Sequence, residues 1–291
     1  MRPVNCARTG VSALRKIKMN FNRRDFFKGS ATAVAGTAIA SCRNAQSSEI
    51  PEHRWIDQNL CVGCGNCISV CPMGAIRLQE KSQIDPNECA ECGVCFRSRV
   101  CPKNAIKEGN LKYPRTLRET FSNPMTGHKS TGVAGRGTEE IKTNDTTNRY
   151  GPGMMGIYVE LGRPVLGARF KDVERVVKKL RQYGYSVIAD NPVAELIVDP
   201  QTGALKPEIL NEKAISVLVE FLLPRNAVPA VQKIIQELSL EIETVFSLSV
   251  ALRALPDGRS PFRDLFGEEI FSLPNGKVNL GLAEGIAEKE I

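Results

Sequence analysis

From residue 156 onward the hydrophobic positions change period in a regular way. Ile157, Val159 and Leu161 alternate with Tyr158 and Glu160, the two-residue period of a strand with one buried face. Phe170, Val173, Val176, Val177 and Leu180 then recur at helical spacing, with Arg175, Lys178, Lys179 and Arg181 off the stripe. Gly184 suits the helix exit. A weaker strand is expected within 185–198, interrupted by Pro192. Ile215, Val217, Val219 and Phe221 alternate once more, with Ser216, Leu218 and Glu220 between them. Val228, Val231, Ile234, Ile235 and Leu238 repeat the helical stripe at an offset of 58 residues. Ile242, Thr244, Phe246, Leu248, Val250 and Leu252 read as a last strand. The predicted order over 156–253 is βαββαβ, in two similar halves.

That order resembles the split βαβ plait of ferredoxin-like and ACT-like folds, and the expected class is α+β. Such a likeness implies that both helices cover one sheet face and says nothing of function. The other face would carry Leu218, Leu222, Val245 and Ala251, a candidate surface for self-association. Residues 254–291 read as an irregular tail. Residues 113–155 are rich in Gly, Thr, Asn and Ser and show little apolar period, so they read as a connector. Its Gly132, Gly135 and Gly137 lack a preceding strand, and their order is reversed from a dinucleotide-binding loop.

Composition adds two exclusions. Of 291 residues, 42% are hydrophobic and 24% charged, which fits neither a wholly disordered chain nor a multi-pass membrane protein. No run of 18 apolar residues occurs. The net charge of +7 resides entirely in residues 1–42, which hold eight basic side chains and one acidic, Asp25. The remainder is balanced, so charge gives no support to nucleic-acid binding.

Residues 1–42 read as a leader rather than as structure. A basic stretch ends in Asn22-Arg23-Arg24-Asp25-Phe26-Phe27-Lys28, and a weakly apolar run from Ser30 to Ala40 follows. This resembles a twin-arginine export signal, with Asn22 a mild departure from the Ser or Thr usual there. It implies a periplasmic or otherwise exported protein. Met19 is an alternative start to Met1. Ile39-Ala40-Ser41-Cys42 resembles a lipoprotein lipobox, which makes Cys42 a candidate lipidation site and membrane tether.

The chemistry lies in residues 50–112. Ile56-Asp57, Asn59, Cys61-x2-Cys64-Gly65-x-Cys67-x3-Cys71-Pro72 and Ala75-Ile76 recur at an offset of 28 residues. The second copy is Ile84-Asp85, Asn87, Cys89-x2-Cys92-Gly93-x-Cys95-x5-Cys101-Pro102 and Ala105-Ile106. Three thiolates at two-residue intervals fit a tight loop around one corner of an iron–sulfur cube, and a loop that short needs a fourth ligand from elsewhere. Structural zinc sites usually space two cysteine pairs widely, and disulfide frameworks do not favour such runs. Gly65 and Gly93 would let the backbone bend, and Pro72 and Pro102 would turn the chain away.

The double motif resembles bacterial-type two-cluster ferredoxins, in which the fourth cysteine serves the other cluster. The resemblance implies two 4Fe–4S clusters, one on Cys61, Cys64, Cys67 and Cys101, the other on Cys89, Cys92, Cys95 and Cys71. The gap between Cys95 and Cys101 departs from the family by two extra residues, in an insertion carrying Arg97 and Arg99, which read as a solvated loop tip. Residues 156–291 hold no cysteine and no histidine, which leaves them without a Cys–His or Ser–His group or a histidine metal site. His53 reads as a surface residue, and Asp190, Glu195 and Asp199 as solvated loop charges.

The expected function is single-electron relay in an exported protein, either alone or as a subunit beside the catalytic chain of a larger oxidoreductase. No catalytic residues are assigned. The alternative is a redox-linked module in which the plait senses a small ligand.

Overall fold

In the computed structural model, residues 50–135, 149–163 and 166–267 are described. The leader with Arg23, Arg24 and Cys42, and the tail from 268, lie outside them. All described residues fall within one structural unit, Ile50–Ile291.

The repeat writes itself into the backbone twice. Strand β1 (Trp55–Ile56) pairs antiparallel with β4 (Ile106–Lys107), and β2 (Ile76–Leu78) with β3 (Ser82–Ile84). Each pair joins the start of one copy to the end of a copy, with Ile56 opposite Ile106 and Ile76 opposite Ile84. The Asp57 amide donates to the Ala105 carbonyl at 2.8 Å, and its equivalent Asp85 donates to Ala75 at 2.8 Å. Each aspartate then caps its own turn: Asp57 Oδ1 accepts from the Asn59 amide and Asp85 Oδ1 from the Asn87 amide, both at 2.9 Å. Two one-turn helices follow, α1 (Asn66–Ser69) and α2 (Val94–Arg97). Each is entered through a left-handed glycine, Gly65 at φ 74° and Gly93 at φ 69°.

The segment expected to be a mere connector has a structure of its own. Helix α3 (Thr116–Ser122) opens it. A tight reversal follows, in which Gly127 bridges to Ala134 and the His128 amide donates to Val133. The physical reason is electrostatic as well as apolar. Arg118 forms an ion pair with Glu212 and reaches the carbonyls of Pro86, Asn87 and Cys89 at 2.9, 3.1 and 2.9 Å. Arg115 donates to Glu91 at 2.8 Å and to the Pro86 carbonyl at 2.8 Å. Phe121 enters the core, edge-on to Phe170 at 5.1 Å and to His128 at 4.4 Å. The strap thus ties the cysteine-bearing half to the sheet.

The sheet has three antiparallel strands. β5 (Met154–Leu161) lies between β10 (Val217–Pro224) and β11 (Phe246–Ala251). Val159 stands opposite Val219 and Leu248, and Ile157 opposite Phe221 and Val250, so one face is continuously apolar. Helices α4 (Phe170–Gln182) and α5 (Val228–Glu241) bury Val173, Val176, Val177, Leu180, Val231, Ile234 and Leu238 against it. Where a weak strand is expected within 185–198, only one bridge joins the main sheet, Val187 to Phe221, and a short separate strand starts at Ile197. After the bridge the Asn191 side chain takes over the pairing, donating to the Leu218 carbonyl at 3.0 Å. Two small ladders complete the framework, β6 (Ala168–Arg169) with β9 (Lys213–Ala214) and β7 (Ile197–Asp199) with β8 (Ala204–Leu205). The final strand begins at Phe246 because α5 continues to Glu241.

The opposite sheet face is less open than its sequence implies. Tyr150 packs edge-on to Tyr158 at 6.4 Å, and the two rings bury Leu218, with Leu222 and Ala251 half-covered beside them. Tyr158 and Glu220, off the apolar stripe, are both buried, whereas Val245 stays exposed.

Candidate functional site

Two separate cavities lie in the cysteine-bearing half. Cys61, Cys64, Cys67 and Cys101 line the first, with Ile56, Val62, Ser82, Ala105 and Ile106. Cys89, Cys92, Cys95 and Cys71 line the second, together with Arg54, Met73, Ala75, Ile76 and Ile84. Each cavity therefore draws three cysteines from one copy of the repeat and the fourth from the other. The fold delivers the fourth by symmetry-like means. The Ala75 amide donates to Cys71 Sγ at 3.3 Å, and the Ala105 amide to Cys101 Sγ at 3.2 Å.

The donor set fits an iron–sulfur cluster better than a lone ion. All eight thiols are free. Among the described residues no three His, Cys, Asp or Glu side chains converge closely enough to hold a single metal ion. The cysteines instead ring voids of about 300 and 320 Å³, counted with the part open to solvent.

Their surroundings differ. Cys64 is exposed, whereas Cys89, Cys92 and Cys95 are all buried. Burial pushes the Cys89 thiol up to about 12 and Cys95 to about 11. Burial likewise raises Cys92 and Cys67. At Cys101 burial also acts upward, but the amides of Ala105, Lys103, Ile106 and Asn104 together outweigh it and bring the thiol below its ordinary value. Those consecutive N–H groups form an anion-binding nest after Pro102. Thiols ligate as thiolates, so metal loading must displace protons, most of all from the second cavity.

Sequence reasoning missed several residues around the second cavity. Arg54 precedes the first repeat and is only 3% exposed. Glu91 sits between Cys89 and Cys92, fully buried, at a non-glycine φ of 53°. Its carboxylate accepts from the Arg54 backbone amide at 3.2 Å and from Arg115. Arg97 is exposed, as the loop-tip reading expects, and it also donates to the Cys92 carbonyl at 2.8 Å and to Asn123 at 2.7 Å. A short segment with many arginines beside a metal motif was the available signal. Neither histidine lines either of these two cavities: His53 is half-buried, and His128 is buried with Nε2 2.7 Å from the Gly135 carbonyl. Asp199 caps a turn through Thr202 and the Gln201 amide, and Asp190 pairs with Arg149.

Comparison with known proteins bears on the first repeat most directly. Residues 54–77, which include Cys61, Cys64, Cys67 and Cys71, match the 4Fe-4S binding domain family. Over 55 residues the chain is 44% identical to an iron-sulfur subunit of the CoB–CoM heterodisulfide reductase of Methanopyrus kandleri. That alignment covers 19% of this chain and 8% of the relative. Residues 54–77 thus carry a 4Fe–4S binding segment.

Proposed function

We propose that this protein is an exported electron-transfer protein that relays single electrons through two 4Fe–4S clusters, one in each four-cysteine cavity. The observation that carries the reading is the crosswise gathering of Cys61, Cys64, Cys67 and Cys101 around one void, and of Cys89, Cys92, Cys95 and Cys71 around another. Bound there, each cluster supplies a one-electron couple. The chain's own residues hold, orient and insulate. The cysteines ligate, the Ala75 and Ala105 amides fix the two exchanged sulfurs, and Ile56, Ile76, Ile84 and Ile106 exclude water. A donor redox protein loses one electron and an acceptor gains it; no bond is made or broken, and no proton need move. The exposed Cys64 marks the side of exchange with partners.

In this reading residues 50–112 are a double-cluster ferredoxin-type domain, and 156–253 a βαββαβ plait whose second strand has shrunk to a bridge. The name of the relative supports service beside the catalytic subunit of a larger oxidoreductase. The Arg23-Arg24 leader supports export of the protein already folded around its cofactors, with Cys42 as a tether.

The test is anaerobic purification with metal analysis and EPR of single Cys→Ser variants. Two clusters per chain are expected. Cys71→Ser should alter the same signal as Cys92→Ser, and Cys101→Ser the same signal as Cys61→Ser. Zinc in place of iron, or Cys71→Ser perturbing the Cys64 signal instead, overturns the reading.

A further inference from the structure

Arg54 is the one charged side chain lining either cavity among the described residues, and it lines the second. Its guanidinium is held from several sides. Nε lies 3.8 Å from Glu91 Oε2 and has no hydrogen-bond partner, although it is buried. Nη1 and Nη2 each stand 3.5 Å from Oε1 of Glu108, a side chain 61% exposed. The group also lies over the Phe96 ring, 5.4 Å from its centroid. A methyl group added at Gly93 would come within 3.5 Å of Nη2, which puts the positive charge beside the Cys92–Cys95 loop.

Burying a guanidinium is costly unless something compensates it. Glu91 is shared with Arg115, and Glu108 is wet, so neither neutralises Arg54 fully. The remaining compensation is an anionic group in the cavity itself. A cluster held by four thiolates is such a group, and it gains one more negative charge on reduction.

We propose that Arg54 is a potential-setting residue, whose buried positive charge raises the reduction potential of the cluster on Cys71, Cys89, Cys92 and Cys95 while leaving its twin untouched. The inference rests on the two-cluster reading above. Coulomb attraction in a low-dielectric interior favours the more reduced, more negative state. Charge, hydrogen bonding and burial are the levers by which a protein tunes such clusters. The first cavity is lined by Ile56, Val62, Ser82, Ala105 and Ile106 and has no such cation. Arg54 thereby splits two sites of like ligation into unlike electron stations and offsets the burial that otherwise opposes reduction of the second.

The experiment is an EPR-monitored potentiometric titration of the holoprotein as wild type, Arg54→Gln, Arg54→Lys and Glu91→Gln. Cys64→Ser and Cys71→Ser serve to assign the two signals. Arg54→Gln should lower the midpoint of the second cluster alone, and Arg54→Lys should stay near wild type. Glu91→Gln, which removes the counter-charge, should raise the same midpoint. This variant decides the matter if Arg54→Gln sheds its cluster. The wild-type separation should persist at high salt, because a buried charge is poorly screened. Unmoved midpoints, or both midpoints moving together, overturn the role of Arg54 alone. Fewer than two clusters in the unmutated protein overturns the parent reading, and metal content shows this before any titration.

Discussion

The two four-cysteine cavities share a ligand pattern and the backbone that presents it, and differ in what surrounds them. Both follow an aspartate-capped turn, both enter a one-turn helix through a left-handed glycine, and both receive their fourth sulfur with an amide bonded to it. The first has the exposed Cys64 at its rim, with Leu60, Val62, Ile68 and Leu78 also exposed. The second is packed under a strap and flanked by Arg54, Glu91, Arg97 and Arg115. The difference teaches that a ligand motif specifies which atoms hold the cofactor, while residues outside the motif decide how the cofactor behaves.

The strongest way to break the comparison is to cut the strap. Arg118 is almost wholly buried, joined to Glu212, and within reach of three carbonyls of the 86–89 loop, including that of Cys89. Arg118→Ala removes this donor from the Asn87 and Cys89 carbonyls and the pairing charge from the half-buried Glu212 carboxylate, while the Pro86 carbonyl keeps Arg115. The expected cost is ~3–5 kcal/mol, measured by denaturant titration of the anaerobic protein. The loss should be selective, with the second cluster's EPR signal bleaching first and the first surviving longer. Equal bleaching of the two signals would mean that the cavities are not independently supported.

How much of this could be read from the chain depends on which force acts. The cysteine spacing is legible because thiolate geometry tolerates little variation, and the eight cysteines it marks fall among the residues that line the two cavities. The helical stripes of 170–180 and 228–238 were legible because one apolar face must be buried. The strap was not. Arg115 and Arg118 look like linker residues until Glu91 and Glu212, far away in sequence, are brought beside them. Charge pairing at such separation leaves no local period. Tyr158 and Glu220 fall on the polar beat of their strands, yet Tyr150 closes over that face and the beat misleads. Within 185–198 the main sheet keeps only a bridge, where Pro192 lacks an N–H and the Asn191 side chain substitutes for backbone pairing.

A smaller effect comes from the paired glycines. Both Gly65 and Gly93 are left-handed, so alanine at either should cost about 1–2 kcal/mol in backbone strain. Their surroundings then separate them. At Gly65 the added methyl meets Leu78 at 3.5 Å and Ile68 at 3.8 Å, ordinary contacts. At Gly93 it meets Arg97 Nη1 at 2.5 Å, the atom that donates to Asn123, so the Arg97 side chain must shift and give up that bond. Gly93→Ala should therefore lower the melting temperature more than Gly65→Ala and broaden only the second cluster's EPR signal. Identical melting shifts would show that the insertion carrying Arg97 leaves the second cavity unchanged.

The mildest perturbation is acid. Burial, opposed by the Gly135 carbonyl and Glu195, holds His128 below its ordinary value of 6.5. Burial and then the nearby Arg115 do the same to His53, with Glu91 opposing. For a base lowered in the folded state the unfolded chain takes up the proton first. Stability is full above 6.5, falls as the pH drops below it, and stops falling once the folded protein is protonated too. The imidazole of His128 rests on Phe121, in the same helix whose Arg118 grips the Cys89 loop. Mild acid should therefore loosen the strap and release iron from the second cavity before the first, the reverse of what exposure alone would produce. His128→Gln should flatten the pH dependence of the melting temperature and delay that release. If iron leaves the exposed Cys64 side first at mildly acid pH, with His128 intact, solvent access rather than the strap governs which cavity holds its metal.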